Sequence, residues 1–453
     1  MKEYRLISTS GILGYGFPEE SLLTGMERQP HMVGVDGGST DPGPHYLGSG
    51  KCLNSRFAMK RDLKLMLRQA VGAGIPMVVG SCGGAGTNSQ LAETVEIVEE
   101  IAREEDLHFK MAVIHAEQDK AWVREQVAQG RTSPLRNVPP LDEETVERSS
   151  CIVGMMGAEP FMAALDDGAQ VILAGRSSDP APWAACAMQA GLPPAPAWYA
   201  GKMLECGAVP AWPKGHDCLL VSVDEETIVL EATNPIRKCT PMSVANHNLH
   251  ENPSPNIHQE PGGVLDTTDC LFEAISDRAV RVSGMRWTPD EVYTVKLEGA
   301  ELVGYRAITI CGTRDPGLIS QFDSFLDAVR ENVFTKAESF GVPPEDYHLV
   351  FRTYGQRGVM GEREPVADTA SHELGVLVEV VGKTQEIASA VLAIARTNTL
   401  HVDFPGRMCK EGNMAFPFSP SDFPCGPVYR FNVFHVVAPE HPRALFRNDY
   451  QNV

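Results

Sequence analysis

The chain has 453 residues, enough for two or three domains with sizeable cores. Its apolar content of 43% and charged content of 22% are ordinary for a globular protein, and its formal net charge is −20. That charge speaks against a nucleic-acid partner, which needs a positive face for phosphates, but permits a small anionic substrate held at a local positive site.

The first residues lead directly into an apolar run without a signal-peptide pattern, and no stretch approaches the roughly 18 apolar residues of a spanning helix. Eleven cysteines, an odd number, are scattered without a C-x-x-C pair. Reduced thiols, a cytoplasmic location and no membrane contact are therefore expected.

In chain order, Tyr4–Ser8 reads as a strand, followed by a loop with Gly11, Gly14 and Gly16. A second strand at 33–35 closes on the loop Asp36-Gly37-Gly38-Ser39-Thr40-Asp41-Pro42. Helical spacing of Leu63, Leu65, Met66, Ala70 and Val71 predicts a helix over 61–73. The strand at 76–79 runs into Gly80-Ser81-Cys82-Gly83-Gly84-Ala85-Gly86-Thr87-Asn88. Thr87 and Gln90 then form a capping-box pattern at the start of a helix over Asn88–Glu105, with Leu91, Val95, Val98 and Ile101 on one side.

A strand at 109–114, a helix at 117–128, an exposed connection at 133–148, a strand at 151–155 and a helix near 160–165 continue the alternation. The strand at 170–174 ends in Gly175-Arg176-Ser177-Ser178-Asp179-Pro180. Strands alternating with helices predict an α/β fold, a Rossmann-like and mostly parallel sheet with helices on both faces. After about 215 the style changes to a hairpin (219–223 and 227–231) and an irregular extension through 253–263. Beyond 287, strands at 292–297, 305–311, 347–354, 374–381 and 429–437 and helices within 317–340 and at 384–397 predict a smaller α+β, ferredoxin-like domain. The expected division is 1–286 and 287–453.

Three strands end in small polar loops, and ligands of open parallel sheets bind at such carboxyl ends. Arg176 is the candidate clamp for a carboxylate or phosphate, the alternative being an ion pair with Asp179 or Asp41. Asp41 and Asp179 are candidate general bases, although aspartate before proline also forms turns. Glu205 is a third candidate acid or base, or a helix-end residue before the cap Gly207. Ser39, Thr40, Ser177 and Ser178 would contact substrate. Ser81, Cys82, Gly83, Gly84, Thr87 and Asn88 would present N–H groups to an anion at a helix start. His247, His250 and Glu251 have no standard zinc spacing and read as a loop rather than a metal site. Arg352 and Gln356 follow a strand of the second half and could reach a ligand from there.

The motifs Gly175-Arg176-Ser177-Ser178-Asp179 and Gly201-Lys202-Met203-Leu204-Glu205-Cys206-Gly207 resemble the AtuA-like family, named for acyclic terpene utilisation. The resemblance continues through Glu260-Pro261-Gly262-Gly263, Lys296-Leu297-Glu298-Gly299-Ala300 and Gly312-Thr313-Arg314-Asp315-Pro316. It departs at the first loop, 10–17, which carries no acid before Glu19. The resemblance implies a part in catabolism of branched carboxylates or acyl-CoA compounds, often beside a small companion subunit. The residues and the resemblance together give the expectation of a hydratase, dehydratase or isomerase acting on an unsaturated or hydroxylated organic acid. The alternatives are a non-catalytic ligand-binding subunit and a CoA- or nucleotide-binding transferase. No cofactor is required, although Mg²⁺ or a CoA thioester would suit the same enolate chemistry. A homo-oligomer is expected.

Overall fold

A computed structural model describes residues 3–249, 254–366 and 371–453. The chain divides into two units, Met1–Glu301 with Phe431–Val453, and Leu302–Arg430. The expected boundary at 286/287 therefore falls inside the first unit, which also recovers the end of the chain because Arg447–Asn452 pairs with Lys110–His115.

The first unit is mixed α/β, built on a ten-stranded sheet among the described residues. Five central strands are parallel, in the order Tyr4–Ser8, Met32–Asp36, Met77–Gly80, Val171–Ala174, Lys110–His115. Antiparallel strands extend both edges: Leu219–Val223, Thr227–Ala232, Ala279–Ser283 and Leu271–Ala274 on one side, Arg447–Asn452 on the other. The sheet is thus mixed rather than mostly parallel, because the hairpin after 215 adds to its edge instead of forming a separate extension.

Strand alternation explains the layers. Leu6, Met32, Val78 and Ile172 enter one apolar core, and their neighbours Ile7, Val33, Val79 and Leu173 enter another. One core holds helices Glu159–Asp166, Ala181–Gln189 and Pro194–Leu204, with Phe161, Trp183, Trp198 and Met203. The other holds Arg56–Ala73 and Asn88–Glu105, with Leu63, Met66, Leu91 and Ile101. Helix Arg56–Ala73 starts earlier than its apolar spacing suggests because Ser55 caps it, accepting from Ala58 N. Ala181–Gln189 and Pro194–Leu204 are buried nearly all round, so they carry no amphipathic period.

The described part of that region, 254–263, is more regular than its composition suggested, and residue 253 lies outside the described residues. Within it, Ile257–Glu260 pairs with Gly263–Asp266. Pro261 and Gly262 (φ +88°) form the two-residue turn, which needs a left-handed second position.

Among the described residues, the second unit is built on strands in the order Tyr347–Tyr354, Leu374–Gly382, Val295–Thr313, Asp422–Val437, the last two shared in sequence with the first unit. The two strands expected at 292–297 and 305–311 are one strand, Val295–Thr313. Helices Phe322–Ser339 and Gln385–His401 bury Phe325, Val329, Val391 and Leu392 against this sheet. No helix among the described residues is long and apolar enough to cross a membrane. Cys82, Cys151, Cys186, Cys218, Cys239 and Cys311 are buried.

Candidate active site

A cavity of about 800 Å³ opens within the first unit, at the carboxyl ends of the parallel strands. Its charged side comes from Asp41, Arg136, Arg176, Asp179, Lys202, Glu205, Glu260, Lys296 and Glu298. Its apolar side comes from Val138, Pro139, Leu141, Met155, Phe431 and Val433. The second unit has its own cavity of about 690 Å³, but Asp315 and Glu373 in its lining are exposed. Buried acids distinguish the first.

Arg176 is 4% exposed and already occupied. Its Nε donates to Glu298 Oε2 at 2.8 Å, and its Nη1 donates to Ser177 O at 2.7 Å and Asp179 Oδ1 at 3.1 Å. Glu298 is the hub. Its Oε1 also accepts from Thr40 Oγ1 at 2.8 Å and pairs with Lys296 Nζ at 2.9 Å. Burial alone would raise the Glu298 carboxyl, but Arg176 and Lys296 outweigh it and bring it down to about 2. Burial pulls Arg176 down, but Glu298 and Asp179 outweigh it and hold the guanidinium above its usual range.

Lys202 and Glu205 lie three residues apart at the end of helix Pro194–Leu204, one turn along the same face, and form a buried ion pair. This helix end is pressed onto the Arg176–Pro180 turn: a Cβ on Gly201 would stand 2.4 Å from Pro180 O. Gly201→Ala should therefore push the helix off that turn, costing about 1–3 kcal/mol as an overpacked contact. Chemical denaturation measures it.

Burial raises Glu205 to about 8; Lys202 opposes the shift and Asp179 adds to it. Burial lowers Lys202, but Glu205 more than offsets this, and the net direction is upward. Glu260, at the end of Ile257–Glu260, accepts a hydrogen bond from Ser178 Oγ. Burial lifts it to about 7 against that bond and Lys202. Asp179, with 32% of its side chain exposed, faces the cavity, and its carboxyl is raised by desolvation against Arg176. Behind these groups Asp36 is 4% exposed and raised first by burial and then by Asp179.

These shifts carry a sign. Glu205 has a folded pKa far above the unfolded value of about 4.3, so its contribution to stability is complete below that value and lost as pH rises through about 8. Glu205→Gln removes the titration. Its stability relative to wild type should therefore climb as pH rises through that range, as read from denaturation midpoints.

The structure brings together Thr40, Asp41, Arg176, Ser178, Asp179 and Glu205 at the cavity. Asp41 is exposed and accepts from Ser39 Oγ at 2.7 Å, so Ser39 shapes the turn beside the opening. Ser177 is fully buried, its N–H donating to Ser81 Oγ at 3.2 Å.

The glycine loop braces the neighbouring turn. Ser81 N donates to Gly175 O and Cys82 N to Ala174 O, while Gly86 O accepts from Arg176 N. Ser81 takes a left-handed φ of +44°, and its Oγ also accepts from Arg176 Nη1 at 3.3 Å. Gly83 and Gly84 take positive φ and, like Cys82, are buried in this turn. Burial pushes the Cys82 thiol up, away from a reactive thiolate. Thr87 and Gln90 complete the capping box. Asn88 N donates to Glu117 Oε2 at 2.9 Å, so a carboxylate of this chain takes the place at the helix start.

Arg352 and Gln356 belong to the second unit, where Arg352 pairs with Glu379 at 3.3 Å. His247 is buried, with Nε2 3.2 Å from Lys202 O, and its ring lies within 4.8 Å of ligand-type atoms of Glu205 and Cys206. Lys202 Nζ already donates to Glu205 Oε1 there, so the trio reads as packing around a buried hydrogen-bonded pair. His250 and Glu251 lie outside the described residues.

Sequence reasoning missed the roles of Glu260, Lys296 and Glu298. Glu298 did carry a signal: a single acid in an otherwise apolar strand segment, Leu297-Glu298-Gly299-Ala300.

No curated protein and no solved structure matches the chain. A family match does cover the motifs that supply Arg176, Ser178, Asp179, Lys202 and Glu205: residues 56–211 match the acyclic terpene utilisation family protein AtuA.

Proposed function

We propose that the cavity binds a small organic carboxylate, free or as an acyl-CoA thioester, and moves protons on it as a hydratase, dehydratase or isomerase. The family match supports a catabolic setting, its description being acyclic terpene utilisation. The observation that carries the reading is the charge balance of the lining. Five carboxyl groups (Asp41, Asp179, Glu205, Glu260, Glu298) face four cations (Arg136, Arg176, Lys202, Lys296). Fully ionised, that lining would repel an anion. Each proton retained on Glu205 or Glu260 tips it toward accepting one, so ligand charge and stored protons are linked.

Arg176 is neutralised by Glu298 and Asp179, and the ligand's carboxylate falls to Lys202 and Lys296. An ammonium has three N–H donors, so each lysine can serve its glutamate and still bind an anion. Glu205 delivers the proton as general acid, with Asp179 and Asp41 as further carboxyls of the lining. The lysines stabilise the enolate that forms once a proton leaves the carbon beside the carboxyl group. The Thr40 hydroxyl orients the ligand's polar groups, while Val138, Leu141, Met155 and Val433 take its carbon skeleton.

The test is incubation of the purified chain with hydroxylated and unsaturated mono-, di- and tricarboxylates and their CoA thioesters. Addition or loss of water, or migration of a double bond, is the expected result. Thermal stabilisation by an acid without turnover, followed by turnover once a small companion protein is added, would overturn the self-sufficient enzyme in favour of a binding subunit. Transfer of a CoA group between acids would overturn it in favour of a transferase.

A further inference from the structure

The cavity contains a second polar pair that the roles above leave unused. Ser178 is 4% exposed, and its N–H is tied to Met156 O at 2.9 Å. Its Oγ donates to Glu260 Oε2, and both residues line the cavity with Lys202 and Glu205. Glu260 is placed from a different part of the fold, the Pro261–Gly262 hairpin, so the two glutamates are held independently. The charged groups around Glu260 are Lys202, Asp179, Lys296 and Glu205. On its own strand, Gln259 is turned to Asp290, and His258 lies 3.4 Å from Thr267 Oγ1. A hydroxyl between a carboxylate and a cavity can give its proton to one while taking a proton from the other.

We propose that Ser178 and Glu260 form a second proton-transfer pair beside Lys202 and Glu205, making the cavity a two-carboxyl acid–base site for elimination and addition of water. This rests on the functional reading above. In the dehydrating direction, the C–H bond beside the substrate carboxyl breaks. Its proton passes to Ser178 Oγ while the Ser178 proton passes to Glu260, and its electron pair forms the double bond. The C–O bond breaks, its electrons leave with the hydroxyl group, and Glu205 supplies the proton that releases water. Glu260 ends protonated and Glu205 ionised. Hydration runs the same steps backward, and no oxidant or reductant is needed. The environments agree with these roles: the Ser178 hydrogen bond favours an ionised Glu260, while Asp179 and Glu260 beside Glu205 add to the burial that favours its protonated form.

Two measurements on the intact chain test the pair separately from the reaction. Carbon-13 NMR of labelled glutamate carboxyls should show a group titrating near 7 that disappears in Glu260→Gln. That group should move upward in Ser178→Ala, because a hydrogen bond to the charged form is lost, and return toward wild type in Ser178→Thr. A Glu260 signal in the ordinary carboxylate range, or one indifferent to Ser178→Ala, would overturn the pair whether or not turnover is found. In the turnover assay, Glu260→Gln should lower the rate at least ~10²-fold and remove the acidic limb of the pH profile, and Ser178→Ala should shift that limb upward. An unchanged profile in both variants would overturn the catalytic role. Absence of turnover in wild type counts against the functional reading alone, since the titration decides the pair.

Discussion

Glu298→Ala is expected to cost about 3–5 kcal/mol of stability, the range for breaking a buried ion pair by removing one partner. The cause is what remains. Arg176 stays 4% exposed with its Nε facing no carboxylate, and Lys296 and Thr40 lose the oxygen they share. Asp179 is a poor substitute because one-third of its side chain faces the cavity. Urea denaturation near neutral pH reads the effect. Glu298→Gln should lie between wild type and alanine, since it keeps the shape and one acceptor while losing the charge. The wild-type contribution belongs to the ionised form, so it is present above the unfolded value of about 4.3 and lost as pH falls through about 2. A cost below about 1 kcal/mol, the range of an exposed pair, would remove Glu298 from the centre of the site.

Glu205→Gln should have the opposite profile: a small change in fold and a large one in rate. The amide is nearly isosteric and can accept from Lys202, but it cannot release a proton. Loss of a positioned general acid lowers turnover by about 10²- to 10⁴-fold. Acid binding should persist, since Lys202 and Lys296 remain and one carboxylate of the lining is gone. Turnover within about threefold of wild type would take the proton away from Glu205, because an effect that small is well below the range of general acid catalysis.

The sequence made parts of this arrangement readable and hid others for definable reasons. Short apolar runs ending in Asp36, Gly80 and Gly175 showed where parallel strands stop, and the Thr87–Gln90 capping box marked a helix start to the residue. Arg176 stood out because a guanidinium just after a buried strand must be paired. Sequence could not decide between an incoming ligand and Glu298, which lies 122 positions away. The glycine loop showed the reverse difficulty. Its free N–H groups at a helix start predicted anion binding, but tertiary contacts spend them on Gly175, Ala174 and Glu117. Glu260 was hidden by the proline-rich run before it, whose local signals are those of a loop. The sheet's antiparallel edges were hidden because pairing partners such as Arg447–Asn452 and Lys110–His115 are set by long-range closure.

The central claim is that protons held on buried carboxyl groups are passed to and from a carbon of a bound acid. Incubation of the chain in deuterium oxide with the hydroxylated and unsaturated acids, followed by mass spectrometry of the recovered acids, tests it most directly. Deuterium is expected at a single carbon beside or conjugated with a carboxyl group of at least one acid, and is lost in Glu205→Gln. Binding of an acid by wild type with no deuterium on any carbon, or equal incorporation by wild type and Glu205→Gln, would contradict it.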